Sequence, residues 1–434
     1  MRIVILGAGL AGLEAGRMLH ENGKEFLILE KEPHAGGLCR TIETGQYRWD
    51  FGVHALYSRH PEAMEHFRNF RLDYQASNRN VRIMHYGRDG KGHLIDYPFE
   101  NGVKDLPFAE KMECLAGYVA ARLRKRRYHN LREWINNRLG FGIAKHFMIP
   151  YNEKIWNCPL QLISEELVSS KIEPATAVEF MRGILGPRSI GRAYQSRFIY
   201  PRLGIQTLCN QLAADFRGNI ALGDAAEDLV RRKGRWVITA RSGSKFEADA
   251  VISTIPLVEL LKIIENDRSS AAAGHFRWNN TFFVMVGLKK DAAFGPVHNC
   301  HWVFFKGDEI FYRITMMHAF SDAFPPALVA EVTEKGDAAG QSEEAVRDAV
   351  VKDLLRLGIV VSPGDIAATD VKKIDYTYPI PTVGLAAVRQ NIRAELAARG
   401  LFLLGRSGAW EYLNMDGVYL SVRSFAEGEG VGSW

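Results

Sequence analysis

Met1 to Glu30 constrains this chain more than any other stretch, because it reads as strand, glycine turn, helix and second strand, closed by an acid. Arg2-Ile3-Val4-Ile5-Leu6 is apolar enough for a short buried strand, Gly7-Ala8-Gly9-Leu10-Ala11-Gly12 forms a tight turn, Leu13 to Asn22 a helix, and Glu25 to Leu29 another strand. Gly7 makes the turn, Gly9 lets the backbone approach a pyrophosphate, and Gly12 lets the helix pack on the strands. The helix N-terminus beyond Leu10 and Ala11 faces the phosphates. Glu30, with Lys31 after it, lies at about the 20-residue spacing of an acid that binds a ribose hydroxyl pair. The segment predicts a bound dinucleotide, and NAD and FAD both satisfy it.

At 434 residues the chain is too long for one ordinary core, so about two or three domains are expected. Hydrophobic content of 47% and charged content of 24% describe a soluble globular protein, and a net charge of +5 is too mild to imply nucleic acid. Cys39, Cys114, Cys158, Cys209 and Cys300 are widely spaced without paired ligand spacing, which predicts reduced thiols and no metal site. The nucleotide-binding strand starts at the second residue, leaving no room for a signal peptide. No apolar run approaches the roughly 18 residues that span a bilayer. A cytoplasmic location without a membrane span is expected.

Tyr47 to Tyr57 reads as a strand breaking into a loop at Gly52, with His54 in the loop, either as a satisfied loop residue or over a flavin ring. From Leu106 the pattern turns helical, over Ala109 to Asn130 and Leu131 to Phe147. The basic run Arg122 to Arg127 reads as a solvated helix end. Strand signals return at Phe198 to Pro201, Ile220 to Leu222, Trp236 to Thr239 and Ala250 to Ile255, with a hairpin turn in Arg231 to Arg235. Thr281 to Leu288, His301 to Phe305, Ile310 to Met317 and Leu328 to Thr333 predict an antiparallel sheet over the site, and Ser342 to Leu357 an amphipathic helix. Leu401 to Arg406 is a buried strand entering a glycine. Asn414-Met415-Asp416-Gly417 precedes a helix from Val418 and offers a second place for a cofactor's phosphate or ribityl chain.

Within Lys31 to Arg40, the Gly36-Gly37 pair followed by Leu38 resembles the second phosphate-contacting loop of a large flavoprotein superfamily. That superfamily includes amine oxidases, phytoene desaturases and UDP-galactopyranose mutases, and the resemblance implies FAD. Tyr97-Pro98-Phe99-Glu100-Asn101, Pro150 to Trp156, Phe311-Tyr312-Arg313, Tyr378 to Thr382 and Gly405 to Tyr412 resemble UDP-galactopyranose mutases in the same order, from Met1 to about Ser424. That family binds FAD and a nucleotide sugar and interconverts pyranose and furanose rings without net redox change. Its reduced flavin acts as a nucleophile at the anomeric carbon, so an external reductant is implied as well.

By that resemblance His54 matches a histidine beside the flavin, and Trp156 and Asn152 residues lining the cleft. Arg313 matches one of two arginines on the diphosphate, Tyr378 and Tyr412 tyrosines that bind it, and Arg406 with Asp416 residues against FAD. Tyr97 joins the substrate-binding set, and Trp410 reads as packing. Three positions depart from the family: Lys171 stands for the second arginine, Phe304 for a tyrosine and Glu100 for a glutamine. The implied fold is α/β, a doubly wound FAD-binding Rossmann-like domain with an inserted helical domain and an antiparallel sheet domain. Residues 1–95, 197–265 and 385–434 would form the FAD domain, 96–196 the helical insertion and 266–384 the substrate sheet. The competing readings are an oxidoreductase of amine oxidase or desaturase type, and a flavin-binding scaffold without catalysis.

Overall fold

The computed structural model describes residues 2–87, 90, 92–123, 127–171, 196–265, 271–334 and 341–430. Its organising layer is a five-stranded parallel sheet in the order Leu401–Leu403, Ala250–Ser253, Arg2–Leu6, Glu25–Glu30, Ile220–Leu222. The inner strands are apolar over their middles, Ile3 to Leu6, Phe26 to Leu29 and Ala250 to Ile252, and buried there except for half-buried Leu27, because both faces are covered. The first helix is Leu10–Glu21, starting earlier than the sequence pattern placed it. Gly9 is extended (φ −71, ψ 179) and caps it, so Leu10 and Ala11 already belong to its first turn. A Cβ on Gly12 would lie 1.9 Å from the Gly7 carbonyl oxygen, which makes glycine obligatory for this approach. The helix Met415–Phe425 packs against the first, so segments from both ends of the chain meet beside the glycine turn.

A three-stranded antiparallel sheet, Ala226–Arg232, Arg235–Ala240 and Lys245–Ala248, sits beside this unit. Its first hairpin turns through Lys233 and Gly234, both at positive φ (49 and 84), the conformation that suits tight hairpins.

The second large sheet has seven strands in the order Ile366–Ile380, Arg277–Leu288, Ala327–Thr333, Arg313–Met316, Trp302–Phe305, Val81–Tyr86, Gly92–Asp96. Its pairs are antiparallel except Val81–Tyr86 against Trp302–Phe305, which is parallel. The boundary expected at residue 95 is therefore displaced: Val81–Tyr86 pairs with Trp302–Phe305, and the segment belongs to this sheet rather than to the five-stranded one. Helix Glu343–Arg356, capped by Ser342 accepting from the Ala345 amide, covers the outer face with Val346, Val350 and Leu354.

The insertion is helical where described: Phe108–Leu123, Leu131–Ile143, Ile149–Trp156 and Glu166–Lys171. The helix read from Leu131 to Phe147 breaks at Gly140 (φ 84, ψ 164). A Cβ there would lie 2.2 Å from the Gly117 carbonyl, so the crossing of two helices imposes the break. Arg124 to Arg126, in the basic run, lie outside the described residues. Among the described residues no helix is long and apolar enough to cross a membrane, no group of three or more His, Cys, Asp or Glu could hold a metal ion, and all five cysteines are free thiols.

Candidate active site

The glycine turn forms a cradle. Gly7 takes φ 94, the Gly36 amide donates to the Ala8 carbonyl at 2.8 Å, and a Cβ on Gly37 would lie 3.1 Å from the Gly9 Cα. Glu30 is buried, accepting from the Ala8 amide at 2.7 Å and the Glu32 amide at 2.9 Å, which fixes the carboxylate at the strand end. The first turn of Leu10–Glu21 has no acid and no side-chain cap, so its amides face outward unneutralised. Arg40 packs its Cγ 3.0 Å from where a Gly36 Cβ would sit, and its buried Nε has no hydrogen-bond partner. Backbone that a Cβ would obstruct, beside an orphaned guanidinium nitrogen, fits a diphosphate. Leu38 is half-buried, and Lys31 is exposed with a 3.9 Å ion pair to Glu32.

At the far end of the cradle Gly405 (φ 74) approaches Ala11, where a Cβ would come within 2.3 Å. Arg406, next in the chain, lies over the rings of Tyr378 (4.8 Å) and Tyr412 (4.5 Å). Its Nη1 donates to the Leu413 carbonyl and its Nη2 to the Thr377 carbonyl, at 3.1 and 3.0 Å. The two tyrosine rings are stacked at 6.1 Å, and Trp156 meets both edge-on at 5.9 and 6.0 Å. Asp416 accepts from Ser58 Oγ at 2.5 Å and from the Gly417 amide at 2.9 Å, with Met415 buried beside it at the helix start.

Arg313 donates through Nε and Nη2 to the two oxygens of Glu331, each at 2.7 Å. Glu331 is fully buried and also accepts from Tyr312 Oη at 2.6 Å. Arg313 and Glu331 are directly opposed across two antiparallel strands, with Phe304 opposite Arg313 on the other side. Gly52 (φ 65) passes close by: a Cβ there would lie 3.3 Å from Arg313 Nη2. That turn presents His54, whose Nδ1 is buried without a partner. Burial, then the charges of Arg406 and Arg313, push the imidazole down to about 4, so it is neutral at physiological pH.

Phe304 joins Tyr97 at 5.0 Å and Tyr151 at 5.4 Å, and Tyr151 stacks on Phe147 at 5.0 Å. Burial raises the Tyr57, Tyr151 and Tyr378 phenols, which keeps their hydroxyls protonated as donors.

Of the residues singled out from sequence, His54, Arg313, Arg406, Tyr378, Tyr412, Tyr97 and Phe304 fall in one neighbourhood, linked by the ring, strand and electrostatic contacts above. Trp156 stands against the tyrosine pair, its Nε1 donating to Asn152 Oδ1 at 3.0 Å, while Asn152 Nδ2 donates to the Met148 carbonyl at 2.7 Å; both residues are buried. Glu100 is likewise buried, and burial raises its carboxyl above the usual carboxylate range. Lys171 ends helix Glu166–Lys171, and its side chain lies outside the described residues. Sequence reasoning missed Arg40, Tyr57, Arg79, Tyr151 and Glu331. A lone acid in the buried strand Ala327–Thr333 was a signal for Glu331; the others gain meaning only from their neighbours.

The family described as flavin containing amine oxidoreductase matches residues 10–427. The crystal structure of reduced UDP-galactopyranose mutase superposes with a TM-score of 0.88 at 25% identity, covering 98% of this chain and 94% of that one. Putrescine oxidase bound to putrescine superposes at a TM-score of 0.71 and 15% identity, with 98% of each chain covered, a likeness of fold alone. Among curated proteins, the 1-hydroxycarotenoid 3,4-desaturase of Flavobacterium sp. (strain P99-3) is 30% identical over 122 residues, 27% of this chain. The L-amino acid oxidase of Cerastes cerastes is 34% identical over 109 residues, 24% of this chain. These matches span 25% and 21% of the relatives' own lengths. The chain thus belongs to the flavin containing amine oxidoreductase family, as a member similar over nearly its whole length to a UDP-galactopyranose mutase.

Proposed function

We propose that this protein is an FAD-dependent mutase that interconverts the pyranose and furanose forms of a nucleotide sugar. When bound and reduced, FAD supplies a nucleophilic ring nitrogen for the anomeric carbon, without net redox change. The cradle of Gly7, Gly9, Gly12 and Gly37 and the N-terminus of Leu10–Glu21 would hold its pyrophosphate, Glu30 its ribose, and Met415, Asp416 and Gly417 its other end. The observation that carries the reading is the grouping of two guanidiniums with two tyrosines: Arg406 lies over the stacked rings of Tyr378 and Tyr412, and Arg313 is held in plane by Glu331. Two guanidiniums beside tyrosine hydroxyls suit a diphosphate and disfavour an amine cation.

In this reading Arg313 offers the diphosphate its remaining N–H donors while Glu331 fixes its plane, and Tyr378 and Tyr412 add hydroxyl donors. Neutral His54 orients a sugar hydroxyl with its open Nδ1. Asn152 acts at one remove, holding Trp156 against the tyrosine pair. Lys171 is the proposed second cation from the sequence match, and Phe304 supplies apolar wall where the family has a hydroxyl.

An FAD-dependent oxidoreductase of amine oxidase or desaturase type is the second reading, favoured by the activities in the curated relatives' names. A binding screen of nucleotide sugars against oxidised and reduced protein separates the two. Micromolar binding of a nucleotide sugar supports the mutase; flavin reduction by an amine or amino acid, with no nucleotide-sugar binding, supports the oxidoreductase.

A further inference from the structure

Two guanidiniums of this neighbourhood are anchored within the protein, Arg313 on the Glu331 carboxylate and Arg406 on the Thr377 and Leu413 carbonyls. Arg79 is held differently. Its guanidinium carbon lies 6.0, 5.2 and 5.4 Å from the ring centroids of Tyr57, Tyr97 and Trp302, and its buried Nε has no hydrogen-bond partner. Among the described residues no carboxylate pairs with it. Aromatic faces attract a cation but neither neutralise it nor accept its in-plane N–H bonds, so the donors remain available to an anion.

The surrounding backbone sets this position. Arg79 follows strand Tyr74–Asn78 and its own amide donates to the Ser196 carbonyl at 2.8 Å, while the Asn80 amide donates to His301 Nδ1 at 3.0 Å. The ring contacts place it in the same neighbourhood: Tyr97 also packs on Phe304, and Tyr57 feels Arg79, Tyr97, Tyr412 and Asp416 together. The cofactor cradle has its own arginine in Arg40, beside Gly36, whose Nε lacks a hydrogen-bond partner and whose Nη1 lies 3.8 Å from a Glu32 oxygen, so Arg79 is left to serve the other ligand.

We propose that Arg79 is a second anion-binding pole of the site, taking an anionic oxygen of the substrate other than those held by Arg313. This rests on the nucleotide-sugar reading. The oxygen belongs either to the diphosphate or to a carboxylate on the sugar, and both present the acceptor geometry that a guanidinium fork recognises.

The test uses FAD-loaded protein with Arg79→Gln, which removes the charge, and Arg79→Lys, which keeps it without the fork. UDP, UDP-galactose and UDP-galacturonate are titrated at low and high salt, with flavin content and Tm recorded alongside. Arg79→Gln should bind at least one of them roughly ten- to a hundredfold more weakly at unchanged flavin content. Arg79→Lys should recover part of the loss, and the wild type should be the more salt-sensitive. Equal weakening for all three assigns the diphosphate; weakening for the galacturonate alone assigns the sugar carboxylate. Wild-type affinity of Arg79→Gln for all three overturns the proposal and leaves the mutase reading standing. If the wild type binds none of them, that reading falls and this inference with it. Should Arg79→Gln not fold, Arg79→Lys decides: several-fold weaker binding supports the proposal, unchanged binding overturns it.

Discussion

Glu331 holds Arg313 by both Nε and Nη2, at 2.7 Å each, across directly opposed positions of two strands. The buried carboxylate fixes the guanidinium plane and leaves its other edge to bind. Glu331→Ala should therefore destabilise the protein by about 3–5 kcal/mol, since it leaves a buried charge without its partner. Glu331→Gln keeps the shape and should cost less. A Tm for Glu331→Ala within a degree or so of wild type would show that the pair does not bear on stability.

Arg313→Ala should weaken nucleotide-sugar binding by about 1.5–3 kcal/mol, roughly ten- to a hundredfold. Lys171→Ala should cost less, because an ammonium offers a point charge rather than a fork. Isothermal titration checks both, and an Arg313→Ala protein with native affinity would remove Arg313 from the site.

His54 should titrate near pH 4 rather than near its ordinary 6.5, which NMR of its ring protons would report. With the folded value below the unfolded one, the unfolded state binds the extra proton between these limits. Stability conferred by the neutral ring is complete above about 6.5 and is lost as pH falls toward 4. Replacing His54 by Gln should flatten that slope, and a native midpoint near 6.5 would contradict the burial of the ring and the charges of Arg406 and Arg313 beside it.

Gly9→Asp and Gly12→Ala should fail in different ways. Gly9 has ordinary φ and the nearest atom to an added Cβ is 3.9 Å away, so the aspartate variant should fold yet lose its flavin by charge repulsion and obstruction. An alanine at Gly12 would press on the Gly7 carbonyl and should cost about 1–3 kcal/mol of stability as the turn opens. Absorbance spectra and thermal melts distinguish these outcomes; a yellow, native Gly9→Asp protein would refute the cradle.

Local chemistry explains which parts were legible in the sequence. The strand Arg2–Leu6, the glycine turn and Glu30 carry their structure in adjacent residues, and the first helix missed only its start, because Gly9 caps it. The strands bearing Arg313 and Glu331 were both predicted, but their register was not, and only register makes the pair. Gly140 shows the same limit: a helical pattern is broken by a helix that crosses it from elsewhere in the chain. His54, Arg406 and the two tyrosines were reached through motif resemblance, whereas Arg79 lacks a motif and is defined by the three rings around it.

The central claim is that flavin acts here as a nucleophile without net redox change. The most direct measurement is anaerobic turnover of UDP-galactose, and of the other nucleotide sugars that bind, by dithionite-reduced and by oxidised protein, following furanose formation, flavin spectrum and reductant consumed. Ring interconversion by the reduced protein is expected over many turnovers, with none by the oxidised form and no stoichiometric loss of reductant. Turnover by the oxidised protein with accumulating reduced flavin or hydrogen peroxide would contradict it.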